Sequence, residues 1–129
     1  MYRNNDYTLD IKIDVPNGLY VFECESGIGK TRLFEYLRML QIYGEPVKTF
    51  TYDDKKLYSA SVESSLESNK YAVIMLDRYD MYNGDGAEVL KECAKNSIVL
   101  IDCKELLRID TEEEVCFINM SENAIEVFI

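Results

Sequence analysis

Gly29, Lys30 and Thr31 follow one another in an order suited to holding phosphate. They close the run Glu25-Ser26-Gly27-Ile28-Gly29-Lys30-Thr31, which lies between an apolar strand pattern and a helical one. In the formula G-x-x-x-x-G-K-[ST], backbone N–H groups cradle phosphate oxygens, the lysine reaches the β/γ-phosphates and the hydroxyl holds Mg²⁺. The helix that begins there adds the positive end of its dipole. Ser26, Gly27, Ile28, Gly29, Lys30, Thr31 and Arg32 are therefore the candidate cofactor-binding residues. Lys30 is also a candidate catalytic charge, and Thr31 a candidate metal ligand. Cys24 stands where the formula has its first glycine, and its Cβ restricts backbone angles that glycine tolerates.

A carboxylate arrives where such a loop needs one. Tyr71-Ala72-Val73-Ile74-Met75-Leu76 is an uninterrupted apolar run ending in Asp77, with one strand–helix unit between it and the loop. An acid at the end of a buried strand can hold Mg²⁺ directly or through water, so Asp77 is the second candidate metal ligand. Asp80 is a further acid three residues later. Ser97-Ile98-Val99-Leu100-Ile101 repeats the apolar pattern and ends in Asp102.

The elements that must position these groups can be read from periodicity. Thr8 to Asp14 alternates, with Leu9, Ile11 and Ile13 on one side and acids and lysine on the other, as in a half-exposed strand. Pro16-Asn17-Gly18 signals a turn into the strand Leu19-Tyr20-Val21-Phe22, so these two strands are expected to pair as an antiparallel hairpin. From Lys30, Leu33, Phe34, Leu37 and Leu40 keep helical spacing until Gly44 and Pro46 end the helix. Val47 to Tyr52 reads as a strand, and Asp53 or Asp54 can cap a serine-rich helix from Lys55 to Ser68. A short helix from Ala87 to Lys95 follows the Asn83-Gly84-Asp85-Gly86 loop, and Val115–Asn119 with Ile125–Ile129 reads as a closing hairpin. The two continuous apolar runs suit parallel strands buried on both faces, whose carboxyl ends are where ligands bind in such sheets.

Bulk properties narrow the function. The chain has 129 residues and 47% hydrophobic residues, enough for one domain with a real core. Its net charge of −10 argues against holding a nucleic-acid backbone. There is no histidine, which removes histidine-based nucleophile activation and general-base chemistry. Cys24, Cys93, Cys103 and Cys116 form no C-x-x-C pair and read as buried, reduced thiols of a soluble cytoplasmic protein. The polar N-terminus carries no signal-peptide pattern, and no apolar stretch reaches membrane-spanning length. The run Asp110-Thr111-Glu112-Glu113-Glu114 reads as a solvated segment. Ten tyrosines are packing material for a core or a protein interface, and Tyr2 or Tyr7 could fold back to stack on a nucleotide base.

Glu25 to Thr31 together with Ile74-Met75-Leu76-Asp77 resembles the P-loop NTPase superfamily, and these segments with Asp77-Arg78-Tyr79-Asp80 look most similar to its AAA+/STAND-type ATPase branch. The resemblance runs from about Leu19 to Asp102. It implies one α/β domain over residues 1–129, a three-layer P-loop NTPase-like fold. Its mostly parallel sheet would be flanked by helices, with strands in the order fifth, first, fourth, third, second. The hairpins read above would precede and close it. It implies ATP and Mg²⁺ as cofactors and places Asp102 near a polar sensor position. Arg78 occupies the place of that branch's water-polarising glutamate, which makes Asp80 the candidate catalytic residue to orient the attacking water if the backbone turns it inward, and no segment reads as the branch's helical lid with a sensor arginine. Nucleotide binding is therefore expected to exceed catalysis.

Three functions compete on this reading. The first is a small ATP-binding protein with Mg²⁺ and slow or absent hydrolysis, a nucleotide-dependent switch or accessory subunit that works with a protein partner or by self-association. The second is a degenerate P-loop domain acting as a non-catalytic protein-interaction module. A small-molecule kinase is third, disfavoured because no arginine-rich lid is evident. The guanine-reading pattern Asn-Lys-x-Asp is missing, which favours ATP over GTP.

Overall fold

The computed structural model describes residues 1–22, 29–50, 70–77, 87–102 and 114–129. These form eight strands and two helices: β1 (Tyr2–Asn4), β2 (Asp10–Asp14), β3 (Gly18–Phe22), α1 (Lys30–Ile42), β4 (Val47–Phe50), β5 (Val73–Leu76), α2 (Ala87–Cys93), β6 (Ile98–Ile101), β7 (Glu114–Met120) and β8 (Ala124–Phe128). All eight strands join one sheet, in the order β1-β2-β8-β7-β3-β6-β5-β4. The run β7-β3-β6-β5-β4 is parallel. Counted from β3, its order is fifth, first, fourth, third, second.

The assembly around that run corrects the expected architecture. Instead of a mostly parallel sheet held in three layers by flanking helices, the described residues make one mixed, strand-dominated sheet with two helices. The expected N-terminal hairpin is absent: β2 does not pair with β3. It pairs in parallel with β8 and antiparallel with β1. The reason lies in matching faces. Ile11 sits opposite Ile125 and Ile13 opposite Val127, and all four are buried. A β2–β3 pairing would set a strand with one apolar face beside one whose Leu19, Tyr20, Val21 and Phe22 are buried on both. The C-terminal hairpin does form, as the antiparallel β7–β8 pair, but it is built into the sheet. Residues 114–116 of β7 pair with β3, and residues 117–120 pair with β8.

Strict alternation in the central strands divides the core in two. Tyr20, Phe22, Val73, Met75, Ile98 and Leu100 enter one cluster, with the α1 stripe Leu33, Phe34, Leu37 and Leu40 and with Ile11, Ile13, Ile125 and Val127. Leu19, Val21, Ile74, Leu76, Val99 and Ile101 enter the other, with Leu90 of α2. The α1 side is thus shared between a helix and the strands β2 and β8, so among the described residues no helix-only layer covers it. At about 25 cal/mol per Å² of apolar surface, each buried leucine of α1 contributes roughly 2 kcal/mol.

Helix α1 stops where glycine permits. Gly44 takes φ +89°, its N–H bonds Gln41 O, and Glu45 N–H reaches Leu40 O, a Schellman closure. Gln41 then ties α1 to β4, its Oε1 accepting from Thr49 N at 2.9 Å and Thr49 Oγ1 at 2.7 Å. The N-terminal segment is sewn to the same helix by the Tyr36 hydroxyl, which accepts from Leu9 N at 3.1 Å and donates to Leu9 O at 3.4 Å. The helix expected at Lys55–Ser68, its caps Asp53 and Asp54 and the glycine loop before α2 lie outside the described residues.

Candidate functional site

The strands β3, β5 and β6 end level with one another, because Val21 is in register with Ile101 and Leu76 with Ile101. Asp77 and Asp102 each stand one residue past the last paired position of their strands. Their backbones are fixed there: Asp77 N bonds Phe50 O and Asp102 N bonds Leu76 O, both at 2.9 Å. Leu76 and Ile101 point to the α2 side, so alternation carries both acids toward the α1 side.

Helix α1 begins at that same edge. Its N-cap is Gly29 at φ +99°, with no capping side chain and no acid in the first turn. The first N–H groups of a helix have no partner within it, and the helix dipole makes this end positive. Lys30 Nζ lies 3.0 Å from Asp102 Oδ1, and the two side chains are only 11% and 14% exposed. A charge pair so nearly withdrawn from water is held together because neither partner is well solvated alone. Thr31 is exposed at the first turn, and Asp77 is half-buried.

Arg32, expected among the phosphate ligands, is engaged elsewhere. Its guanidinium donates to Ser121 O at 3.4 Å and to Glu122 O at 3.0 Å, joining the first turn of α1 to the β7–β8 turn. Gly29 meets the same hairpin. A Cβ there would lie 3.1 Å from Met120 Sδ and 3.5 Å from Ile118 Cγ2. Neither contact has a local sequence signal, since β7 lies some ninety residues downstream of the loop. The Lys30–Asp102 pair was likewise missed, although two apolar strands each ending in aspartate were visible.

Ser26, Gly27, Ile28 and Asp80 lie outside the described residues, as do Cys24, Arg78 and Cys103. Tyr7 is not placed for a nucleotide at Lys30. It stacks on Tyr43 at 5.2 Å between ring centres and donates to Glu45 Oε1 at 3.0 Å, beyond the far end of α1. Thirteen helical residues put about 20 Å between the two ends. Tyr2 rests against the α1-side core.

No protein-family model matches this chain. No curated protein matches it either. Among the described residues no three acidic or cysteine side chains converge on one metal position. Thr31 and Asp77 supply hard oxygen donors, the type that Mg²⁺ takes when phosphate oxygens and water complete its shell. Cys116 offers no chemistry, being buried with its thiol pushed up to about 12 by loss of solvation. Among the described residues no helix is long and apolar enough to cross a membrane.

Proposed function

We propose that this chain binds a nucleoside triphosphate, ATP in preference to GTP, with Mg²⁺ at the start of α1. The observation that carries the reading is Lys30 at a helix N-terminus, 3.0 Å from a strand-end carboxylate. Four features then meet at one edge: a left-handed glycine, the positive end of a helix, a lysine, and two acids at adjacent strand ends. Gly29, Lys30 and Thr31 would take the phosphates, with Asp77 and Thr31 toward the metal. Lys30 would neutralise charge on the outer phosphates. Hydrolysis is slow or absent on this reading, because Arg78 stands where the resembling ATPases carry a water-polarising glutamate. The protein then acts as a nucleotide-dependent switch or accessory subunit.

A specific observation also favours the protein-interaction module. Phe117 is 39% exposed and packs on Phe128 at 5.9 Å between ring centres, and Ile129 beside it is 54% exposed. Direct binding separates the readings. Titration of a fluorescent ATP analogue into the protein with Mg²⁺ is expected to saturate at micromolar concentration and to be displaced by ATP. Lys30→Ala is expected to weaken binding by at least tenfold. Absence of binding at millimolar nucleotide would favour the module.

A further inference from the structure

Asp102 stands against Lys30, the charge that an incoming phosphate would use. Its carboxylate already answers the lysine and lies where the α1 dipole begins, while α1 has no acid of its own in the first turn. Its backbone is anchored to β5 through Leu76 O, so the sheet presents the group rigidly. Asp77 stands beside it on the neighbouring strand end. A bare polyphosphate reaching Lys30 must break the Lys30–Asp102 pair and then remain next to two carboxylates. Like charges brought together disfavour each other strongly where water is scarce. A phosphate carrying a divalent cation meets the opposite condition, since both carboxylates then face positive charge.

We propose that Asp102 is an internal competitor for the phosphate position, holding Lys30 in the empty protein and rejecting nucleotide that lacks its metal. This rests on the nucleotide-binding reading above and adds to it a selectivity for metal-loaded over metal-free ligand. Asp102 acts through Lys30 and is a positioning residue.

The test is calorimetric titration of ATP, in EDTA and in Mg²⁺, into the full-length wild type, Asp102→Asn and Lys30→Ala. Asp102→Asn is expected to bind metal-free ATP about tenfold more tightly than wild type, and its Mg²⁺ advantage is expected to shrink by a similar factor. A purely structural role for Asp102 would not change the Mg²⁺ advantage. If Lys30→Ala abolishes wild-type binding yet Asp102→Asn binds metal-free ATP no more tightly, the competitor role is overturned and the nucleotide reading stands. If none of the three proteins binds in either condition, both fall. Should Asp102→Asn lose its near-UV circular dichroism, Asp102→Ser takes its place with the same expectations.

Discussion

At Gly29 the backbone takes φ +99°, and Met120 and Ile118 close the space a side chain would use. Gly44 shares the left-handed angle, at φ +89°, but has nothing within 4 Å of a Cβ. The two glycines therefore separate strain from crowding. Alanine at Gly44 carries only the backbone cost, about 1 kcal/mol, whereas alanine at Gly29 must also displace the Met120 thioether and is expected to cost about 2 kcal/mol. Urea unfolding of both variants checks this, and equal losses would show that Met120 yields freely. Gly29, Lys30 and Thr31 stand out in the sequence through local spacing, and Asp77 through its place at the end of an apolar run. The Lys30–Asp102 pair and the Met120 contact stay hidden there, since both depend on which strand ends lie together.

Helix α1 and the strands β5 and β6 were readable as elements because each carries a complete period of its own: Leu33, Phe34, Leu37 and Leu40 on one stripe, and unbroken apolar runs in the strands. Pairing was less readable. Pro16-Asn17-Gly18 does make a close turn, with the Tyr20 hydroxyl donating to Pro16 O at 2.8 Å, yet the strands it joins find other partners. A turn signal reports a change of direction, and the partner is chosen by buried faces far along the chain. The β7–β8 turn is fixed by three elements: Ser121 N–H bonds Ala124 O, Asp10 N–H bonds Asn123 O, and Arg32 clasps Ser121 and Glu122. Arg32→Ala is expected to cost about 1 kcal/mol, and to speed amide exchange at Ser121 and Ala124 more than in β5 or β6. Exchange rates unchanged at the turn would mean that the hydrogen bonds from solvent-exposed Arg32 contribute nothing measurable.

On the scale of the whole molecule, the parallel run was foreseeable from two apolar strands alternating with helices, but the mixed sheet was not. Strand β7 changes neighbour midway, from β3 to β8, and nothing in Glu114–Met120 announces that. The consequence is that the edge bearing Lys30, Asp77 and Asp102 is continuous with the C-terminal hairpin through Gly29 and Arg32. The α1 stripe also shares one core with strands from both ends of the chain. A ligand held at the start of α1 should therefore stabilise the molecule as a unit. Nucleotide at ten times its Kd adds about 1.4 kcal/mol, which for a chain of this size raises Tm by about 5 °C. The most direct measurement is the thermal unfolding of wild type and Lys30→Ala with and without Mg-ATP. A single transition rising by about 5 °C in wild type, with no shift in Lys30→Ala, is the predicted result; an unmoved wild-type Tm at millimolar Mg-ATP, or an equal rise in Lys30→Ala, would contradict nucleotide binding at this site.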